Sequence, residues 1–110
     1  LKEAVIHKHV MDRWHATGLP NTLVATIPNA RAFGQVGLTR GLPDLVVLGP
    51  QLPIGFIELK TAKGKLSDPQ IAFKDLCHSI KARYAVTYGL DEAIQILEIW
   101  GLVKPDVRAA

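Results

Sequence analysis

The most constraining part of the chain is a pair of apolar runs joined by a turn that no helix can cross. Asp44 to Leu48 reads as a strand, because Leu45-Val46-Val47-Leu48 is apolar at every position and bounded closely on both sides. Such a run is expected of a strand buried on both faces. Gly49-Pro50-Gln51-Leu52-Pro53 then interrupts the backbone. Residues 54–61, Ile-Gly-Phe-Ile-Glu-Leu-Lys-Thr, form a further extended run. A turn this short joins antiparallel neighbours, so the two runs are predicted to form a hairpin.

The flanking elements follow from periodicity and punctuation. Residues 2–16 are predicted to be a helix with Ile6, Val10 and Trp14 on one face, ended by Gly18-Leu19-Pro20. Leu23 to Ile27 reads as a short strand. Residues 29–42 form a long glycine-containing loop that carries Arg31 and Arg40 and no acid. After the hairpin comes the basic loop Ala62-Lys63-Gly64-Lys65-Leu66. Ser67 and Gln70 have the spacing of a capping box, and Pro69 suits a first turn, so a second helix opens here. Phe73, Leu76, Cys77 and Ile80 are its apolar stripe. Tyr84 to Tyr88 is a fourth strand. Asp91 to Trp100 is a third helix with Ala93, Ile94, Leu97 and Trp100 on one face, closed by Gly101; the tail from Val103 reads as loose. The order is α-β-β-β-α-β-α. The helix between strands three and four makes a crossover, so that pair is predicted to be parallel within a mixed sheet flanked by helices, an α/β fold.

With 110 residues, 48% of them hydrophobic and 21% charged, the chain reads as one globular domain, residues 1–110, and not as a disordered segment. No apolar run is long enough to span a membrane. Leu1-Lys2-Glu3-Ala4 has no apolar leader, and Cys77 is the only cysteine. That rules out an internal disulfide and a multi-thiolate zinc site, and a reducing, cytoplasmic compartment is expected. The net charge of +3 is a weak pointer to nucleic acid, but its distribution is informative. Between Arg13 and Ser67 the bases are Arg13, Arg31, Arg40, Lys60, Lys63 and Lys65, while the only acids are Asp44 and Glu58.

Those two acids lie on the hairpin. Glu58 and Lys60 are two apart on a strand and point to one face. Taken alone, they read as an ion pair on a solvated surface. The hairpin, however, brings Asp44 across from Glu58, where both carboxylates can hold one hard cation such as Mg²⁺. The Leu59 carbonyl is a candidate third ligand. Lys60 would then orient a water for attack, which is the arrangement for metal-assisted phosphodiester hydrolysis. Arg31, Arg40, Lys63 and Lys65 flank this point from two loops, as phosphate contacts or as ordinary solvated charge. His7, His9 and His15 lack zinc-ligand spacing, His78 reads as surface and Cys77 as core.

Pro43-Asp44 followed by Glu58-Leu59-Lys60 resembles the PD-(D/E)xK nuclease signature. The wider pattern is more specific. Asn29, Gly41-Leu42-Pro43-Asp44-Leu45, Ile57-Glu58-Leu59-Lys60, Leu66-Ser67 and Gln70 together resemble the VRR-NUC (virus-type replication-repair nuclease) group, from Glu3 to about Trp100. The resemblance implies a restriction-endonuclease-like core and a Mg²⁺- or Mn²⁺-dependent endonuclease acting on DNA in replication, repair or recombination. It also implies site roles for Glu3, as a further ligand on the first helix, and for Gln70. From the residues alone, Glu3 is equally a helix-start carboxylate and Gln70 half of a capping box. Similarity to stand-alone phage and bacterial members implies a homodimer selective for branched DNA, such as a Holliday junction. The rival readings are a catalytically inactive nucleic-acid-binding module with the same fold and a sequence-specific restriction endonuclease.

Overall fold

The structure is a computed structural model, and it describes residues 1–28 and 39–106. The elements are α1 (Glu3–Thr17), β1 (Leu23–Thr26), β2 (Leu45–Leu48), β3 (Ile54–Lys60), α2 (Asp68–Ile80), β4 (Arg83–Tyr88) and α3 (Gly89–Ile99). The strands form one sheet in the order β1-β2-β3-β4. β1 and β3 both run antiparallel to β2, and β4 is parallel to β3. The predicted order, the hairpin and the α2 crossover are all present.

The strand pleat divides the residues between two faces. Val24 lies opposite Val47, and Leu45 opposite Ile57. With Leu59 they make one face of the core, closed by Ile6 and Val10 of α1 and by Ala93, Ile94 and Leu97 of α3. The other face carries Phe56 beside Tyr84. Phe73 of α2 packs edge-on to Phe56 at 5.3 Å and against Tyr84 at 6.1 Å between ring centroids.

Because α2 lies over the β3–β4 half, the β1–β2 half of this second face is open. Leu23, Leu48 and Ile54 are register neighbours in a row, and they remain 41%, 39% and 50% exposed. The expectation that β2 is buried on both faces therefore holds for one face only. The stripe expected on α2 is also narrower than its sequence suggests. Cys77 is buried and Phe73 half-buried, but Leu76 and Ile80 face solvent at 54% and 65% exposure. The helix touches the sheet along the Phe73–Cys77 seam, and an apolar arc wider than that seam stays outside.

The tail corrects a further expectation. Leu102 and Val103 are fully buried. Val103 bridges to Gly18, the Leu19 N–H donates to the Leu102 carbonyl at 2.9 Å, and the Lys104 N–H donates to the Thr17 carbonyl at 2.9 Å. The segment is thus pinned to the end of α1, where Trp14 Nε1 also donates to Thr22 Oγ1 at 3.0 Å.

The loop leading to β2 is seated on the start of α2. Gly41 has φ +87°, and a Cβ there would run into the backbone carbonyl of Pro69. Both constraints favour glycine. Gly41→Ala is expected to cost about 1–3 kcal/mol, read as a lower melting temperature. An unchanged melting temperature would show that this contact does not constrain the loop.

Candidate metal centre

Asp44 is the residue immediately before β2, and the β2–β3 register carried one step past Leu45–Ile57 sets it against Glu58. Two backbone contacts fix it there. Its carbonyl accepts from the Ile27 N–H at 2.8 Å, and its Oδ2 accepts from the Leu59 N–H at 2.7 Å. The carboxylate is therefore held at the mouth of the hairpin by the strands on either side.

Glu58 and Lys60 project from β3 to the same side, and both are buried, at 2% and 8% exposure. The reading as a solvated surface pair does not survive that burial. Lys60 Nζ stands 3.9 Å from Glu58 Oε2, close enough for electrostatic attraction but too far for a hydrogen bond. Glu3, exposed in the first turn of α1, completes the group. Glu3, Asp44 and Glu58 each offer a carboxylate oxygen, and these oxygens all lie within 4.8 Å of one another. Opposed oxygens around a Mg²⁺ or Ca²⁺ ion are about 4–5 Å apart, so the spacing is that of one coordination shell.

Burial and neighbouring charge act together on Glu58. Desolvation, then the hydrogen bond and the charge of Asp44, push its carboxyl up to about 9, against the opposing pull of Lys60. Three carboxylates converging on one point, with the Lys60 ammonium nearby, favour either protonation or a cation. The donor set is all hard oxygen, which suits a divalent ion such as Mg²⁺ or Mn²⁺.

The remaining predicted residues are placed as follows. Gln70 is half-buried and closes the capping box: its Oε1 accepts from the Ser67 N–H at 2.8 Å, and its own N–H donates to Ser67 Oγ at 3.4 Å. Arg40, Lys63 and Lys65 are exposed, and none of them makes an ion pair among the described residues. Arg31 lies outside the described residues. Cys77 is buried and its thiol is pushed up by desolvation, as expected of a core cysteine. His9, His15 and His78 are on the surface. Two neighbours of the site had no assigned role in the sequence. Tyr84 lies near enough for the charge of Glu58, after burial, to raise its hydroxyl. His7 Nε2 sits 2.8 Å from Thr26 Oγ1.

A mixed four-stranded sheet with a carboxylate cluster at the mouth of its hairpin, and a buried lysine two residues beyond one of those carboxylates, defines a nuclease-type domain. The VRR-NUC domain pattern matches residues 2–91, and the chain belongs to the VRR-NUC family. A solved structure described as a VRR_NUC domain is 24% identical with a TM-score of 0.66, covering 87% of this chain and 94% of that one. Another, described as a VRR_NUC domain protein, is 19% identical with a TM-score of 0.76, covering 91% of this chain and 88% of that one. At these identities the likeness speaks for the fold. No curated protein matches the chain.

Proposed function

We propose that the protein is a Mg²⁺- or Mn²⁺-dependent DNA endonuclease. The observation that carries the reading is the convergence of Glu3, Asp44 and Glu58 beside buried Lys60. Asp44, Glu58, the Leu59 carbonyl and Glu3 would hold the ion, which when bound supplies Lewis-acid polarisation of a phosphodiester and lowers the pKa of a water. Lys60 donates to the attacking water and orients it toward phosphorus. Gln70 supports the site from the start of α2. Arg31, Arg40, Lys63 and Lys65 hold the flanking phosphates.

No stretch of the sequence has the pattern of a base-reading element, so recognition by backbone and shape is the favoured mode. That mode suits branched DNA, and the resemblance to stand-alone phage and bacterial members extends the reading to a cytoplasmic protein of replication, repair or recombination. A homodimer would supply two sites for paired incision. The test is incubation with four-way junction, flap, fork and linear DNA, with and without Mg²⁺ or Mn²⁺. Metal-dependent cutting that favours a branched substrate supports the reading. Binding without cutting would favour the inactive module, and cutting at one sequence the restriction enzyme.

Two outcomes follow for individual side chains. Lys60→Ala is expected to lower turnover by about a hundredfold, the scale of a positioned proton-transfer group. Calorimetry should show Mn²⁺ affinity nearly unchanged, and retained turnover would reduce Lys60 to a buried counter-charge. Replacing Arg31, Arg40, Lys63 or Lys65 singly by Ala should weaken binding to unrelated duplexes alike and reduce the salt slope by about 1. A change in the sequence cut, with the slope intact, would mean that these side chains read bases.

A further inference from the structure

We infer that His7 and Thr26 form a clamp that positions Glu3 within the carboxylate cluster. The inference rests on the metal reading of that cluster. Glu3 is on the first turn of α1, which has no side-chain cap and no buried residue before Ile6. A carboxylate on such a turn is free to fray away from the sheet unless the helix is tethered close by.

Among the described residues, α1 makes three side-chain hydrogen bonds to other parts of the chain. Trp14 to Thr22 and Arg13 to Asp106 belong to its second half. Of these three, only the contact of His7 Nε2, 2.8 Å from Thr26 Oγ1, lies in the half that carries Glu3, where it adds to the packing of Ile6 in the core. His7 is four residues beyond Glu3, so the two side chains are neighbours on one helical face.

The other end of the clamp is as well placed. Thr26 is the last residue of β1 and lies opposite Leu45, the residue after Asp44. Ile27, directly after Thr26, donates its N–H to the Asp44 carbonyl. The hydrogen bond thus joins the helix bearing Glu3 to the strand whose next residue holds Asp44. His7 is a positioning residue: it sets the distance between two carboxylates and touches neither the substrate nor the ion.

Mn²⁺ titration calorimetry on the whole chain tests this, with melting curves confirming that each variant is folded. His7→Ala and Thr26→Val should each weaken Mn²⁺ binding by roughly tenfold, the effect of removing a partner that orients a metal ligand. Thr26→Ser, which keeps the hydroxyl, should bind like wild type. The decisive comparison is the double variant. If His7 acts through Glu3, His7→Ala with Glu3→Gln binds no more weakly than Glu3→Gln alone, whereas independent effects would multiply. Multiplied losses, or a folded His7→Ala protein with wild-type affinity, would overturn the clamp. A wild-type protein that binds no Mn²⁺ would instead remove the metal reading, and the clamp's role with it.

Discussion

Asp44→Asn is expected to reduce metal-dependent DNA cleavage by at least about a hundredfold, because even outer-shell partners of metal ligands are commonly worth tenfold to a hundredfold. Glu58→Gln should do the same. Neither change should unfold the protein. An asparagine carbonyl still accepts from the Leu59 N–H, so the contact that orients residue 44 persists. A buried glutamine at position 58 is close in shape to the acid it replaces. Affinity for DNA measured without turnover should remain near wild type, since the proposed phosphate contacts come from the basic loops. An Asp44→Asn protein that cuts at the wild-type rate would place the chemistry elsewhere.

The second large effect concerns stability against pH without metal. The Glu58 carboxyl ordinarily titrates at 4.5 and is raised to about 9 in the fold, chiefly by burial. Between those values the folded state holds a proton that the unfolded chain releases, so stability must fall as pH rises. The Glu58 contribution is fully present below pH 4.5 and is lost as pH approaches 9. Its slope is at most one proton's linkage, about 1.4 kcal/mol per pH unit. Melting curves in a chelator should therefore show this decline in the wild type. In Glu58→Gln the same component should be missing, making that variant the more stable at alkaline pH. Mn²⁺ should restore the wild type there by favouring the ionised carboxyl, and its affinity should rise with pH. Parallel pH profiles for wild type and Glu58→Gln would mean that Glu58 is already ionised in the fold.

Much of this arrangement is legible in sequence because it depends on local rules. The turn at residues 49–53 dictates the hairpin, and the hairpin dictates that Asp44 meets Glu58. Period-two alternation puts Lys60 beside Glu58, and Ser67 with Gln70 marks the start of α2. What local rules do not reach is contact between distant elements. Leu76 and Ile80 have the right spacing for burial, but the width of the α2–sheet seam is set by how Phe73 meets Phe56 and Tyr84. The burial of Lys60 depends on neighbours on both sides of β3. The resemblance implies a site role for Glu3, and helical spacing sets it on the face of Ile6, Val10 and Trp14, but its convergence with Asp44 needs the tertiary fold. The contact of Gly41 with Pro69 and that of His7 with Thr26 likewise join segments far apart in sequence.

The family match stops at residue 91, but the packed interior does not. Leu97, Trp100, Leu102 and Val103 are all buried, and Val103 is bridged to the chain at Gly18. The earliest helix thus gains its final neighbours from almost the last residues described. Emerging from a ribosome, α1 would wait for nearly the whole domain before its C-terminal end could dock. Until then its apolar side would be open to wrong partners. A fragment trimmed at the family boundary would keep Glu3, Asp44, Glu58 and Lys60, yet it would lack the segment that closes the fold behind them.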